Sequence, residues 1–221
     1  ERADGPDGPR RPIVANADLL VVVDALTSPD PRPTLVDHYL AAAELGGLEA
    51  AVVFTKEDLA VDRDDGDSLV ALYSGIGYPV LHGTALESSF VERVRGLIDG
   101  RVAALVGQSG VGKSVLTRGL TGVDRAVGAV SDRIGGRHTT TDPRLIPMPD
   151  GGAVVDTAGV RTLFLPAHEV DDLADAFPEI RAIVGQCRFR DCRHMGEAGC
   201  TLPGHIAPSR YESYRALVTG I

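Results

Sequence analysis

A glycine-rich loop constrains the fold of this chain more than any other segment. Residues 107–114 read GQSGVGKS, which fits the pattern G-x-x-x-x-G-K-[ST]. The loop follows Val102–Val106, an apolar run that predicts a strand, and leads into Ser114–Leu120, which predicts a helix. Backbone N–H groups of such a loop surround phosphate oxygens, and the helix N-terminus adds its dipole. The alternative is a chance glycine turn, which the flanking strand and helix disfavour.

The residue types within this loop predict a site for a nucleoside triphosphate. The expected phosphate contacts come from Gly107, Gln108, Ser109, Gly110, Val111, Gly112, Lys113 and Ser114. In loops of this kind the lysine, here Lys113, contacts the β- and γ-phosphate oxygens, and the hydroxyl of Ser114 ligates Mg²⁺.

The other apolar runs predict an α/β fold built on a mostly parallel sheet. Four further buried strands are predicted, at Leu19–Asp24, Leu48–Phe54, Pro79–Leu81 and Ala153–Asp156. Helices are predicted over Thr34–Leu45, with Thr34 as the N-cap, over Ser88–Ile98 and over Pro208–Thr219. Short strands that alternate with helices place helices on both faces of the sheet.

Composition narrows the classes of function. Apolar residues make up 43% and charged residues 24% of the chain, as in ordinary globular proteins. The net charge of −9 argues against a dedicated nucleic-acid-binding protein, whose affinity depends on neutralising phosphates. No apolar run approaches the ~20 residues that span a bilayer, and no secretory leader is recognisable, so we expect a cytoplasmic protein.

A second motif predicts recognition of guanine. Thr55-Lys56-Glu57-Asp58 follows the second predicted strand and fits the pattern [NT]-K-x-D. The Asp58 carboxylate can accept from both N1–H and the exocyclic amine of guanine, a donor pair that adenine lacks, while the Lys56 stem lies along the base. The alternative is a solvated charged turn. The motif stands at the carboxyl end of a buried strand, where open α/β sheets bind ligands.

A third motif, Asp156-Thr157-Ala158-Gly159, ends the last predicted strand. The aspartate of this motif is expected to hold Mg²⁺ through water. The backbone amide of its glycine is expected to contact the γ-phosphate. The preceding threonine run 139–141 is either a polar loop or the segment whose threonine caps Mg²⁺ in the triphosphate state.

The order of these motifs predicts a circularly permuted GTPase. In an ordinary GTPase the phosphate loop precedes the base-reading motif, whereas here Asp58 precedes Lys113. Permutation is tolerated where the original termini lie close together. A P-loop kinase or ATPase is the competing class, and both Asp58 and the permuted order argue against it.

A cysteine cluster near the C-terminus predicts a structural zinc site. Cys187-x4-Cys192-x-His194-x5-Cys200 offers three thiolates and one imidazole, and all three cysteines of the chain lie within it. The alternative is a group of buried thiols. Four arginines lie around the cluster, either as phosphate contacts or as a solvated face: Arg181, Arg188, Arg190 and Arg193.

Taken together, the chain resembles the circularly permuted small-ribosomal-subunit-dependent GTPase A family (RsgA), whose members act late in ribosome maturation. The resemblance covers about residue 12 to residue 221 and depends on the motif order, on GQSGVGKS at 107–114, on GRHTTT at 136–141 and on the cysteine cluster at 187–200. Thr55, where asparagine is commoner, and Ala158, where proline is usual, depart from the pattern.

The resemblance implies further site residues. Thr84 and Ala85 would form the short loop that contacts guanine, and Thr140 would be the Mg²⁺-sensing threonine. Val160 stands where many GTPases keep a water-orienting glutamine, so His138 becomes the candidate for that catalytic role.

The resemblance also implies domains and a partner. We expect a linker or tail over 1–12, a permuted GTPase domain over 13–165 and a small, largely helical zinc-binding domain over 166–221. The family also has an N-terminal OB-fold, and we expect no counterpart of it within these residues. The expected activity is GTP hydrolysis, stimulated by the small ribosomal subunit and its rRNA. We expect the chain to act as a monomer. The alternative is a nucleotide-gated module that binds RNA or protein with little turnover.

Overall fold

A six-stranded sheet organises the part of the chain that the computed structural model describes, residues 16–60, 63–123, 144–157 and 170–220. The strands are β1 (Leu19–Ala25), β2 (Glu49–Thr55), β3 (Val80–His82), β4 (Val102–Val106), β5 (Arg144–Pro147) and β6 (Ala153–Asp156). Their order across the sheet is β3-β2-β1-β4-β6-β5, and only the pair of β5 with β6 is antiparallel. The predicted mostly parallel sheet is confirmed.

Helices cover both faces of this sheet. Those that pack on the sheet are α1 (Pro33–Leu45), α2 (Arg63–Ile76), α3 (Ser88–Ile98) and α4 (Lys113–Thr121). Three further helices follow toward the C-terminus: α5 (Val170–Asp175), α6 (Pro178–Arg181) and α7 (Pro208–Thr219). Along β1, Leu20 and Val22 pack with α1 and α2, whereas Val21 and Val23 pack with α3 and α4. Because both faces are buried, the strands are continuous apolar runs without polar alternation. No helix among the described residues is long and apolar enough to cross a membrane.

Some observed elements differ from the predicted ones. Helix α1 begins at Pro33 and no side chain caps it, so Thr34 as the N-cap was wrong; proline suits the first helical position because it lacks an N–H. Helices α2, α5 and α6 and strand β5 were not predicted. The first half of α2 consists mainly of charged residues and Gly66, so it shows no clear apolar period. Strand β5 is an exposed edge strand in which Leu145 is 62% exposed, so it lacks a buried apolar run.

The C-terminal helices have an apolar core of their own. Phe177 and Tyr214 form its centre, with their rings edge to face and their centroids 5.6 Å apart. Ala41 of α1 also belongs to this cluster, so the C-terminal helices pack against the sheet domain through α1. The predicted boundary near residue 165 lies outside the described residues, as does the tail 1–12, and the division into domains stays a prediction.

A buried ion-pair network joins α1 to α7. Arg210 is 1% exposed, and its guanidinium donates to Asp37 at 2.7 Å and to both carboxylate oxygens of Glu179 at 2.6 and 3.1 Å. The hydroxyl of Tyr73 donates to the same Asp37 oxygen at 2.8 Å. The guanidinium also lies 4.6 Å from the centroid of the Phe177 ring. The guanidinium therefore has partners on three sides within the interface.

Replacing Arg210 with methionine tests the contribution of this network. Arg210→Met leaves Asp37 buried without its cation, and breaking such a pair costs about 3–5 kcal/mol of unfolding free energy. The matched control is Arg181→Met, which removes an exposed ion pair with Glu44 and is expected to cost about 0–1 kcal/mol. Urea unfolding at pH 7 measures both. Equal losses in the two variants would contradict the buried role of Arg210.

Candidate functional site

The predicted nucleotide-site residues gather at one edge of the sheet. The glycine loop follows β4, the Thr55–Asp58 motif follows β2, and Asp156 ends β6. These three strands run parallel, with β1 between β2 and β4, so their carboxyl ends meet at the same edge. This is the edge at which open α/β sheets bind ligands.

The glycine loop lies directly against β1. Gly107 has φ +142°, and a Cβ built there would lie 2.0 Å from the carbonyl oxygen of Val23, so no other residue fits. Lys113 is 5% exposed and its ammonium curls over the loop, donating to the carbonyls of Gly107 at 2.8 Å and Gln108 at 2.6 Å. Within the same loop Val111 is buried in the core, while Ser109 and Gly110 are exposed. The exposed turn and the ammonium form a cationic cradle suited to phosphate.

Two oxygen-bearing side chains flank this cradle. Ser114 lies in the first turn of α4, and Asp156 is paired in register with Leu105, two residues before the loop. The Thr157 hydroxyl donates to the Leu105 carbonyl at 2.6 Å and fixes the chain after β6. Hydroxyl and carboxylate oxygens are the ligands that Mg²⁺ prefers, so this pair fits the ion.

Several predicted residues on the γ-phosphate side fall outside the described part of the chain. These are His138, the threonine run with Thr140, and Gly159 with its neighbours Ala158 and Val160. Their roles stay predictions.

The predicted guanine motif is tied to the glycine loop. Thr55 is fully buried, and its hydroxyl donates to the Val111 carbonyl at 2.5 Å. Lys56 adopts φ +60°, and its ammonium donates to the carbonyl of Ser28 in the loop between β1 and α1. Asp58 is exposed at the rim of the site. Thr55 thus supports the loop from below, while Asp58 remains accessible to a ligand.

The loop after β3 lies beside this motif. Gly83 donates its N–H to the Phe54 carbonyl at 3.0 Å and accepts from the N–H of Glu57 at 3.3 Å. The next two residues, Thr84 and Ala85, are therefore held next to the Thr55–Asp58 motif. The structure thus brings the two candidate guanine loops together.

Sequence reasoning missed Asp24, which lies at the end of β1 and is 3% exposed. Its carboxylate accepts from the N–H groups of Ala25 at 2.9 Å and Arg32 at 2.8 Å, and from the side-chain amide of Gln108 at 3.3 Å. Burial raises the pKa of the Asp24 carboxyl above its usual value, and these hydrogen bonds oppose the shift. The Gln108 amide also donates to the Asp30 carbonyl at 3.1 Å. The sequence did contain a signal for Asp24, since it is an acidic residue at the end of a run of valines in a predicted buried strand.

Helix α1 contacts both the glycine loop and the C-terminal helices. The Tyr39 side chain lies next to the backbone of Gly107. Two residues earlier on the same helix, Asp37 binds Arg210 of α7. A single turn of α1 therefore links the candidate phosphate site to the C-terminal helices.

The cysteine cluster has the geometry of a metal site. His194 Nδ1 lies 3.4, 3.7 and 3.8 Å from the Sγ atoms of Cys187, Cys192 and Cys200, and all four ligand atoms lie within 4.8 Å of one another. Zn–S and Zn–N bonds of ordinary length in a tetrahedron place nitrogen and sulfur roughly 3.6 Å apart. The four residues fit zinc.

Contacts around the cluster hold its ligand loop in place. The Glu197 carboxylate accepts from the N–H groups of Arg193 at 3.1 Å and Met195 at 2.8 Å, on either side of His194. The Tyr214 hydroxyl donates to the Arg193 carbonyl at 2.9 Å and anchors the loop to α7. Burial raises the pKa of the Cys192 thiol to about 12. A bound divalent cation would overcome that shift, because a coordinating thiol is deprotonated.

The four arginines around the cluster divide into two groups. Arg181 binds Glu44 of α1 at 3.2 Å and donates to the Asp175 carbonyl at 3.1 Å, so it belongs to the interface with α1. Arg188, Arg190 and Arg193 are exposed beside the cluster. The basic surface that the sequence predicted is therefore confined to these three.

Comparison with known proteins identifies the neighbours of this chain. The family model described as RsgA GTPase matches residues 2–166. A protein of Azotobacter vinelandii named small ribosomal subunit biogenesis GTPase RsgA is 40% identical over 223 residues, covering 97% of this chain and 65% of that protein. A protein of the same name from Pseudomonas putida strain F1 is 41% identical over 224 residues, with the same coverage. The chain thus spans 65% of the length of these curated relatives.

Two solved structures share the fold. YjeQ from Thermotoga maritima is 31% identical with a TM-score of 0.73, over 94% of this chain and 72% of that one. YloQ, described as a circularly permuted GTPase, is 27% identical with a TM-score of 0.73, over 93% of this chain and 68% of that one. The permuted fold predicted from the motif order is confirmed.

Removing one thiol tests the metal site. Purified without chelators, the chain is expected to carry about one zinc, because three thiolates and an imidazole complete a tetrahedron. Cys192→Ser is expected to lose the zinc and to lower the unfolding temperature. Arg190→Ser, in the same loop but with no ligand atom, is the control and should keep both. Mass spectrometry of the metal content measures occupancy, and zinc-free wild-type protein would refute the assignment.

Proposed function

The chain belongs to the RsgA GTPase family, and on this premise we propose that it hydrolyses GTP to GDP and phosphate as a molecular switch on the small ribosomal subunit. The observation that carries the proposal is the meeting of three loops at one sheet edge, after β2, β4 and β6. These loops offer a carboxylate for guanine, a cradle for phosphates and oxygen ligands for Mg²⁺. The name of the relatives supports the subunit as partner.

We assign the site residues by the chemistry that they offer. Guanine contacts are proposed for Thr55, Lys56, Asp58, Thr84 and Ala85. Phosphate contacts are proposed for Gly107 to Lys113, for Ser114 and for Gly159. Magnesium contacts are proposed for Ser114, Thr140 and Asp156. Cys187, Cys192, His194 and Cys200 are proposed to hold one structural zinc.

Catalysis in this site consists of positioning and charge stabilisation, because phosphoryl transfer needs little covalent help from the protein. Bound Mg²⁺ supplies neutralisation of charge on the β- and γ-phosphate oxygens. Lys113 and the N–H groups of the glycine loop stabilise the negative charge that moves toward the leaving GDP. His138 is proposed to orient the attacking water, since Val160 offers no polar side chain.

The same geometry suggests how nucleotide state reaches the C-terminal helices. The chain runs from Asp156, on the γ-phosphate side, toward α5, so the loss of the γ-phosphate acts on that connection. Helix α1 offers a second link, since Tyr39 contacts Gly107 and Asp37 binds Arg210. GTP is therefore proposed to favour the subunit-bound state, and hydrolysis to weaken it. A monomer in the cytoplasm fits this role.

Exchanging the carboxylate of Asp58 for an amide tests base recognition. Asp58→Asn can satisfy only one of the two guanine donors, and losing a hydrogen bond to a charged group costs about 1.5–3 kcal/mol, roughly 10- to 150-fold in GTP affinity. The variant should gain affinity for xanthosine triphosphate, whose base carries a carbonyl in place of the amine. The control is Glu57→Gln, which makes the same exchange in the neighbouring residue and should leave GTP affinity unchanged. The Glu57 carboxylate lies 3.2 Å from His82 Nδ1. Fluorescent-nucleotide competition measures the affinities of the wild-type chain and of both variants. An unchanged GTP affinity in Asp58→Asn would show that this residue does not contact the base.

Adding purified small subunits tests the switch. The chain alone is expected to hydrolyse GTP slowly, and subunits that order the water-positioning side chain should raise the rate on the order of 10²-fold. Co-sedimentation should show tighter binding with a non-hydrolysable GTP analogue than with GDP, and binding should weaken as salt is added. An unstimulated rate with nucleotide-dependent binding would favour the gated binding module. Equal binding in both nucleotide states would contradict the switch.

A further inference from the structure

One aromatic ring near the cysteine cluster is exposed to solvent. Phe189 lies in the loop between Cys187 and Cys192 and is 51% exposed. The guanidinium of Arg188 lies over this ring, 5.3 Å from its centroid. The nearest apolar core holds Phe177 and Tyr214, and Phe189 takes no part in it. The ring is therefore available to a partner.

The backbone beneath this ring is tightly held. Both ends of the loop are candidate zinc ligands, and the Arg188 N–H donates to the Gly199 carbonyl at 3.0 Å. Gly199 has φ +86°, and a Cβ there would lie 2.8 Å from the Cβ of Arg188, so the two segments are in close contact. Because the backbone that carries the ring is already ordered, binding costs less conformational entropy than it would on a mobile loop.

The charge around the ring favours an anionic partner. Arg188 lies over it, and Arg190 and Arg193 are exposed in the same stretch of chain. Within the described residues none of these three forms an ion pair with an acidic side chain, whereas Arg181 and Arg210 of the same module do. Glu197 is turned toward the backbone N–H groups of its own loop. A strongly negative ligand would find three arginines on this stretch, none of them in an ion pair with a described residue, against the exposed carboxylate of Asp191.

We propose that Phe189 is a stacking platform for an unpaired base of RNA, with Arg188 and Arg190 contacting the phosphates on either side. The proposal deepens the proposed function, on which it rests, by naming the chemistry through which this module recognises the subunit. Single-stranded RNA presents base faces next to phosphates, and aromatic rings beside arginines bind that combination. The zinc cluster then serves to hold the loop that carries the ring.

A tryptophan at this position reports stacking directly. The chain contains no tryptophan, so Phe189→Trp introduces a single fluorophore that keeps an aromatic face. Its emission should be quenched by small subunits, and by single-stranded poly(A) at low salt. Leu145→Trp, on the exposed edge strand β5, is the control for quenching without stacking and should show little change.

Truncation at the same position measures the contribution of the ring to affinity. Stacking on one base predicts that Phe189→Ala binds small subunits about 5- to 150-fold more weakly, with an unchanged dependence on salt. Phe189→Leu should be weakened similarly, since leucine keeps apolar area but has no π-face. Arg190→Ala should instead reduce the slope of the salt dependence by about one.

The outcomes separate this inference from the proposed function. If wild-type chain fails to bind subunits in either nucleotide state, the proposed function fails first. If wild type binds and Phe189→Ala binds equally well, the stacking proposal is overturned. If Phe189→Leu matches wild type while tryptophan is unquenched, the surface contacts protein, and the proposal is again overturned. Quenching together with weak binding of both truncated variants supports it.

Discussion

The contact between the glycine loop and β1 determines where everything else at the candidate site lies. Parallel pairing of β1 with β4 places Val22 opposite Val106, so the chain leaving β4 passes directly over the end of β1. Only glycine fits at position 107, because the Val23 carbonyl occupies the space of a Cβ. The next side chain on β1, Asp24, then meets the next side chain of the loop, Gln108. The loop is thereby fixed to the centre of the sheet before any ligand binds.

That central position makes helix α1 a shared support. Because α1 follows β1 on the sheet, its turn with Tyr39 reaches the glycine loop while Asp37 faces the C-terminal helices. The interface with α7 is held by a charged pair as well as by the apolar cluster around Phe177. A buried guanidinium is stable only where its partners keep their geometry, whereas apolar side chains tolerate sliding. The pair therefore fixes the register of α7 on α1.

Sequence reasoning succeeded where one local signal sufficed. Strands buried on both faces, such as β4 and β6, can be predicted from a run of apolar residues alone. Helices α3 and α7 also have the bounds that were predicted for them. The permutation could be predicted because the order of the motifs is visible in the sequence without a structure. Features that depend on distant partners stayed hidden. The pairing of Arg210 with Asp37 spans 173 positions, and no local pattern separates this arginine from the exposed ones.

The phosphate loop and the candidate metal cluster illustrate the same limit at site level. Spacing alone predicted both, since their chemistry requires residues close in sequence. Asp24 and Tyr39 were missed because they contact the loop only after the sheet has formed. Arg181 carried the same charge as its neighbours in the sequence, yet its place at the end of α6 directs it to Glu44. Its charge is used within the fold, which leaves the surface near Phe189 to the other three arginines.

The permuted connectivity gives the C-terminal helices two attachments to the sheet domain. The chain enters them after β6, the last strand in sequence, while α7 packs on α1, the first helix. In the proposed switch, loss of the γ-phosphate acts on the first attachment. The second resists, because separating Arg210 from Asp37 would leave a buried charge without its partner, at about 3–5 kcal/mol. A displacement that keeps this pair intact leaves the α1–α7 contact in place, so it does not dissociate the C-terminal helices from the sheet domain.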